Sequence, residues 1–552
     1  MIDIKNLSVQ FTGDNLFENV NLRISKHDKI SLVGSNGTGK STFLKILTKL
    51  EQREAGEINM QRGLRIGYLP QELIAFKGKT LFDEVKQSLP DITILIETEK
   101  AILASLDAPQ LNDADRDELL EKLGEIHEKK EAVDFYSTDF KIEKVLEGLG
   151  FSEIDFHRLT EEFSGGWQMR IQLAKILLAE NDLIIMDEPT NHLDIDTLRW
   201  LENFLINFKG GLIIVSHDRH FINAITNKTL EIFDKSINFF PGNYDAYLKY
   251  KEERDIQLRA LQKNLDKKRK ETERFIERFR YKSSKAKQVQ SRIKQVEKME
   301  SVEIADEEKR IEIKFPDPPK SGIVPVELKN VSKYYGNLKV FENIDLAFER
   351  GDKVAIVGPN GAGKTTLAKI IAGKINQSYG DIIVSPNTVI SYFEQEVVES
   401  LNPEDDLLDS LDSVGAELSI GQIRTILGSF LFSGDDVFKK IKVLSGGEKS
   451  RVALSRLLIT KSNFIILDEP TNHLDYYSKE ILQHALMEFP GTLLIVSHDI
   501  DFLKPIISKV LEIRDNRAKL FIGGIDYYLF KKEETSLLFV LTEFSLGVGI
   551  FC

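Results

Sequence analysis

The chain repeats itself in two fixed registers, and that duplication restricts it to folds that can be built twice from one plan. Gly34-Ser-Asn-Gly-Thr-Gly-Lys40-Ser41 returns later as Gly358-Pro-Asn-Gly-Ala-Gly-Lys364-Thr365. Phe11 and Gln71 return at the same offset as Tyr335 and Gln395. Ser164-Gly-Gly, the pair Asp187-Glu188 and His217 return as Ser445-Gly-Gly, Asp468-Glu469 and His498, all three at one second, shorter offset. The offset changes once, by 43, so the first copy holds about 43 extra residues between Gln71 and Ser164. Length agrees: 552 residues exceed one core and suit two domains with a connector.

In each copy an apolar strand (residues 30–33 and 354–357) runs into the glycine-rich loop, and a helix follows (42–47 and 366–371). That context gives the motif its mechanism. The glycines permit a turn whose backbone N–H groups converge on phosphate oxygens, and the helix N-terminus adds partial positive charge. The expected ATP cradles are Gly34, Ser35, Asn36, Gly37, Thr38 and Gly39 in one copy, and Gly358, Pro359, Asn360, Gly361, Ala362 and Gly363 in the other, with Thr42 and Thr366 at the heads of the helices. Lys40 and Lys364 are expected to neutralise the β- and γ-phosphates, and Ser41 and Thr365 to offer hydroxyls to Mg²⁺.

Asp187 and Asp468 end the apolar strands 183–186 and 464–467, where they are suited to hold the metal's water shell; Gln71 and Gln395 are further candidate metal ligands. Glu188 and Glu469 are suited to polarise the attacking water. His217 and His498, each in Ser-His-Asp after another apolar strand, are expected to sense the γ-phosphate. Phe11 and Tyr335 stand equally far ahead of Gly34 and Gly358, and either stack on adenine or are core aromatics.

Phe163-Ser-Gly-Gly-Trp167-Gln168-Met169-Arg170 and Leu444-Ser-Gly-Gly-Glu448-Lys449 precede Asp187 and Asp468 by one and the same spacing. With Asn191-His192-Leu193-Asp194 and Asn472-His473-Leu474-Asp475, they resemble the ABC superfamily. The resemblance implies an α/β chain of two P-loop NTPase nucleotide-binding domains of ABC type, each a doubly wound core with a helical subdomain. It also implies head-to-tail pairing within one monomer. Residues 34–41 would face Ser445, Gly446 and Gly447, and residues 358–365 would face Ser164, Gly165 and Gly166, with one ATP clamped in each place. Both copies keep the lysine, acid pair and histidine, so two hydrolytic sites are expected, made unequal by Trp167.

Between the copies the chain changes character. Residues 243–321 contain no glycine, and residues 243–315 no proline, which reads as long helix. Leu258, Leu261 and Leu265 share one helical face, as do Val289, Ile293 and Val296, and residues 282–285 fall where a turn would join them. An antiparallel hairpin follows, with about 30 residues, or roughly 45 Å, in its first arm. Eight basic residues cluster at its tip (Arg274, Arg278, Arg280, Lys282, Lys285, Lys287, Arg292 and Lys294) against one acid, Glu277. Phe275, Phe279 and Tyr281 are interleaved with them. Such a tip is either a solvated face or an RNA-binding element, and structured RNA suits it because shape and phosphate contacts dominate there. The extra arm of the first copy, about 91–134, carries 13 acids and five bases, so it is either a contact for a protein partner or a solvated helix pair.

The tandem copies, the continuation Gly-Gly-Trp-Gln-Met-Arg and the basic linker together resemble the ABC-F family of ribosome-associated ATPases. That resemblance implies a translation factor that contacts ribosomal RNA and tRNA. An antibiotic-resistance protein of the same family, the ATPase subunit of a membrane transporter and a non-hydrolysing scaffold are the alternatives. The expected domains are 1–242 and 323–532 for the two cassettes, 243–322 for the linker and 533–552 for an apolar tail without an assigned role. A single cysteine, Cys552, removes disulfide and zinc-ribbon frameworks and fits the cytoplasm. A net charge of −13 argues against wholesale coating of nucleic acid, and no apolar run reaches the roughly 20 residues of a membrane span.

Overall fold

The computed structural model describes residues 1–11, 14–34, 37–71, 74–89, 98–103, 105–106, 116, 119–126, 135–191, 193–279, 290–291, 293, 318–394, 401–414, 418–430, 432, 434–471, 474, 476–532 and 534. Most of the arm at 91–134, most of the linker beyond 279 and nearly all of the tail lie outside these residues.

Each copy forms one mixed six-stranded sheet and one antiparallel three-stranded sheet. In the first copy the strands are β1 (Ile2–Phe11), β2 (Asp14–Ile24), β3 (Lys29–Val33), β4 (Ala55–Met60), β5 (Ile66–Leu69), β6 (Leu183–Asp187), β7 (Gly211–Val215), β8 (Lys228–Phe233) and β9 (Ser236–Phe240). In the second they are β10 (Val326–Tyr335), β11 (Leu338–Phe348), β12 (Lys353–Val357), β13 (Tyr379–Val384), β14 (Ile390–Phe393), β15 (Phe464–Asp468), β16 (Thr492–Val496), β17 (Lys509–Arg514) and β18 (Arg517–Ile522). The large sheets run β5-β6-β7-β3-β8-β9 and β14-β15-β16-β12-β17-β18, parallel except for the last strand of each. The small sheets run β2-β1-β4 and β11-β10-β13.

Sequence pattern explains the layers. All five residues of β6, β7, β15 and β16 are buried, as strands covered on both faces require. β4 alternates exposed and half-buried positions, as an antiparallel edge with one wet face does. β3 and β12 sit inside their sheets with neighbours reached by crossovers on either side, and the crevice at their carboxyl ends is where such sheets hold ligands.

The helices that build the sites are α1 (Lys40–Leu47), α2 (Gly165–Leu178), α3 (Ile195–Asn207) and α4 (Arg219–Ile225) in the first cassette. The linker begins as α5 (Tyr244–Phe279), and the second cassette supplies α6 (Lys364–Ile371), α7 (Gly446–Ile459), α8 (Tyr476–Glu488) and α9 (Ile500–Leu503).

α5 runs 36 residues, roughly 54 Å, because no glycine or proline stops it near residue 273. Its root packs into the first cassette, past the expected boundary at 242, while the sheet ends at Phe240. The Tyr247 hydroxyl donates to Glu231 Oε1 at 2.6 Å and Arg254 Nη1 donates to Glu231 Oε2 at 2.9 Å. Burial raises the Glu231 pKa, but hydrogen bonds from Arg254 and Tyr247 outweigh it and hold the carboxyl below its usual range. Tyr247→Phe removes a donor from a buried carboxylate, and about 1.5–3 kcal/mol of stability should be lost, measurable by urea unfolding. Tyr528 repeats the contact in the second cassette, donating to Glu512 Oε1 at 3.2 Å. Of Leu258, Leu261 and Leu265, only the Leu258 side chain lies within the described residues, and it is half-buried; Ile293 is 38% exposed.

Candidate functional site: two composite cavities between the cassettes

Each glycine-rich loop turns into its helix through a left-handed glycine. Gly39 (φ +93°) and Gly363 (φ +99°) are the residues before α1 and α6, a conformation that side chains resist. A Cβ on Gly363 would stand 2.5 Å from Val340 Cγ1, and one on Gly39 would stand 2.6 Å from Leu16 Cδ2. The helices therefore begin at the lysines, slightly earlier than the apolar pattern alone marks. Lys40 Nζ donates to Gly34 O at 2.8 Å, and Lys364 Nζ donates to Gly358 O and Pro359 O, both at 2.9 Å. Ser35 and Asn36 lie outside the described residues.

The acid pairs close the strands beside the loops. The Ser41 hydroxyl bonds Asp187, and Thr365 Oγ1 donates to Asp468 Oδ1 at 3.1 Å. Asp187 Oδ2 is buried without a hydrogen-bond partner among the described residues. A hydroxyl beside a carboxylate that keeps one unmatched buried oxygen forms a hard-oxygen donor pair that fits Mg²⁺. Tyr392 adds a hydroxyl that donates to Asp468 Oδ2 at 3.3 Å.

Glu188 (φ +54°) and Glu469 (φ +47°) both hold left-handed backbones, which cost energy in a residue with a side chain. Their N–H groups are pinned to Val215 O and Val496 O at 2.8 Å. That strain, repeated at the same position of both copies, marks a functional constraint. Burial pushes the Glu188 carboxyl up to about 8; Asp187 adds to this, while Lys479 and Lys40 pull against it. Burial pushes Glu469 to about 8 as well, with Lys364 opposing. His217 Nε2 and His498 Nε2 each lie 3.5 Å from the neighbouring glutamate Oε1. Burial, with Lys364 close by, holds His498 down at about 3, so its ring is neutral.

Two cavities then join opposite copies. One, of about 520 Å³, is walled by Asn360, Gly361, Gly363, Lys364, Thr365, Thr366, Glu469 and His498 on one side and by Ser164, Gly166 and Trp167 on the other. The second, of about 830 Å³, joins Gly37, Gly39, Lys40, Ser41, Thr42, Gln71, Asp187, Glu188 and His217 to Ser445 and Gly447. Gly34, Thr38, Gly358, Pro359 and Ala362 belong to the same loops, Gly165 and Gly446 open α2 and α7, and Gln395 lies outside the described residues. The Phe11 side chain is likewise undescribed. Tyr335 ends β10 with its ring 51% exposed and Lys333 Nζ 4.8 Å above it, and it is not among the residues walling the cavities. Arg274 and Arg278 are exposed near the end of α5, and Arg280, Lys282, Lys285, Lys287, Arg292 and Lys294 lie outside the described residues.

The two signatures differ. Ser445 caps α7 in a capping box with Glu448, its hydroxyl 2.7 Å from Glu448 Oε2. Trp167 stands in place of Glu448, so Ser164 has no side-chain cap bond. Trp167 instead packs 4.8 Å from the Phe151 ring and beneath the Arg170 guanidinium, 4.5 Å away. Arg170 is fully buried, with Nη2 3.1 Å from Asp194 Oδ2. Asp194 is the N-cap of α3, and its Oδ2 also accepts from the Asn360 N–H of the opposite loop at 3.2 Å. Ile195 follows and is buried within the apolar core of the second cassette. The residues that sequence reasoning missed as parts of the site are Tyr392, Arg170 and Lys479. Arg170 ends the quoted first signature and Tyr392 stands three residues before Gln395, whereas Lys479 has no local signal.

A family model described as ABC transporter matches residues 17–191 and 341–472, and a second, also described as ABC transporter, matches 230–315. ABC transporter F family members 2 and 5 of Arabidopsis thaliana are each 35% identical to the chain over 542 residues. Member 2 is matched over 97% of the chain and 79% of its own length, member 5 over 96% and 77%. Among solved structures, the complex of archaeal ribosomal stalk protein aP1 with archaeal ribosome recycling factor aABCE1 matches with a TM-score of 0.60, at 18% identity, over 95% of the chain and 92% of the other. Among the described residues no helix is long and apolar enough to cross a membrane. With duplicated loops, acid pairs and signatures meeting in two shared cavities, the chain belongs to the F family of ABC proteins, which carry tandem ATP-binding cassettes.

Proposed function

We propose that this chain hydrolyses ATP at both cavities, that two ATP molecules hold its cassettes closed as a monomer, and that the closed form acts on the ribosome in the cytoplasm. The observation that carries the reading is the meeting of each phosphate loop with the other copy's signature in one cavity. Such a cavity is complete only when the cassettes are together, so nucleotide and closure favour each other. Lys40 and Lys364 bind the β- and γ-phosphates, Ser41, Asp187, Thr365 and Asp468 hold Mg²⁺, and Gln71 and Gln395 complete its surroundings. Bound there, the metal neutralises charge on the phosphates. Glu188 and Glu469 accept hydrogen bonds from the attacking water, and His217 and His498 hold the γ-phosphate in line.

The ribosomal part rests on the basic linker tip and on kinship: one fold neighbour is an archaeal ribosome recycling factor. A chain of −13 reaches an RNA surface through a local cationic element. If about four tip charges meet phosphates, affinity for ribosomes falls roughly 50- to 150-fold between 50 and 200 mM salt. Sedimentation through sucrose tests the whole reading. With ATP, the Glu188→Gln/Glu469→Gln protein should pellet with ribosomes, and the same protein with Arg278, Arg280, Lys282 and Lys285 changed to glutamine should not. A glutamate variant that stays in the supernatant with ATP would overturn the ribosomal role.

A further inference from the structure

Leu198 and Lys479 occupy one position of the repeat, the fourth residue of α3 and of α8. Leu198 is 7% exposed. Lys479 is a cation whose side chain is 15% exposed, and it walls both cavities. Its Nζ donates to Asp499 Oδ2 at 2.7 Å within its own cassette and to His217 O at 3.4 Å in the other. Two aspartates stand there, each following a site histidine and each capping a helix. Asp218 accepts from Phe221 N at 2.9 Å, and Asp499 accepts from Phe502 N at 3.0 Å.

The two carboxylates feel each other across the seam: burial and the Asp499 charge push Asp218 up to about 6, and Lys479 opposes them. Asp501 adds to that repulsion, although its own Oδ2 accepts from His220 N at 2.8 Å. Burial works against the Lys479 charge, but Asp499, Asp218 and Glu188 outweigh it and hold its pKa above the ordinary lysine value. Two lysines at this repeat position would bring like charges together, and two leucines would leave both aspartates facing each other without a cation. One of each leaves a single cation for two anions.

We infer that Lys479 is a positioning residue for both cavities: one cation on the seam, shared by Asp218 and Asp499, that offsets their repulsion as the cassettes meet, so that the two histidine loops close as a unit. The inference rests on the reading of the cavities as ATP sites that close. Asp499 keeps Lys479 within the second cassette, whereas its hydrogen bond to His217 O and its charge interaction with Asp218 cross the seam. Its contribution therefore falls on the closed form.

Lys479→Met keeps the stem and removes the charge. Compaction of the whole chain by a non-hydrolysable ATP analogue, followed by small-angle X-ray scattering, should then need at least about tenfold more analogue, and ATP turnover should fall by a similar factor. Adding Asp218→Asn and Asp499→Asn keeps both helix caps while removing both charges, and should restore compaction to within about threefold of the parent, as should Lys479→Arg alone. A Lys479→Met protein that compacts like the parent overturns the inference, and so does failure of the asparagine pair to restore it. If Lys479→Met does not fold, exchanging the pair (Leu198→Lys with Lys479→Leu) moves the cation across the seam and should compact like the parent; failure to compact overturns the inference. Compaction needs no hydrolysis, so a chain that closes but does not turn over ATP sinks the ATPase reading and leaves this one standing.

Discussion

ATP turnover by the Glu188→Gln/Glu469→Gln protein is expected to fall roughly 10²- to 10⁴-fold, the usual contribution of a positioned acid or base. Glutamine keeps the volume and one acceptor oxygen but cannot take a proton from water. Both residues hold left-handed backbones pinned by Val215 O and Val496 O, so the amide is presented where the carboxyl was. Phosphate release measures the loss; near-parent turnover would remove the two glutamates from the chemistry. Stability should move the other way. Both carboxyls are raised from 4.5 to about 8 in the fold, so the folded state binds protons that the unfolded state releases. Their unfavourable contribution is absent below pH 4.5 and grows as pH rises towards 8. The double glutamine protein lacks it, so its melting temperature should exceed the parent's at about pH 8 and match it near pH 4. The opposite trend would show that the carboxyls are stabilised as anions.

Arg170→Ala should cost about 3–5 kcal/mol, the range for removing one partner of a buried ion pair. The guanidinium is fully buried and donates to Asp194 Oδ2 at 3.1 Å and Leu149 O at 2.8 Å. Although burial works against its charge, Arg170 and the Thr197 N–H hold Asp194 at about 2, so the carboxylate stays ionised and loses its counter-ion in the variant. Damage should be confined to the first cassette, splitting the calorimetric transition into an early and an unchanged late step. Arg170→Met with Asp194→Asn removes both charges and keeps an N-cap at α3, and most of the loss should return. Equal lowering of both transitions would place the role of Arg170 at the seam instead.

The loops, acid pairs, histidines and signatures were legible because each is a short motif with its own local geometry, and duplication marked all of them twice. The α/β layers followed from apolar runs such as residues 183–186, which are buried on both faces. Depth was not legible. Arg170 belongs to a quoted motif, yet nothing in one dimension shows that it is fully buried over the Trp167 ring. Lys479 was hidden for a second reason: repeat logic finds what both copies share, and its counterpart is leucine. The charge it answers is assembled from Asp218 and Asp499, which belong to opposite copies and which no window of sequence contains together.

α5 is clamped to the first cassette by Tyr247 and Arg254 on Glu231, a residue of β8, and β8 lies directly beside the strand that carries the first phosphate loop. A rod fixed so close to the first glycine-rich loop magnifies whatever happens at its foot. A tilt of roughly 10° there sweeps the far end of a roughly 54 Å helix through roughly 9 Å, more than a whole helical turn. Under the proposed function, events the size of one phosphate at the base become movements the size of a nucleotide at the far end of α5.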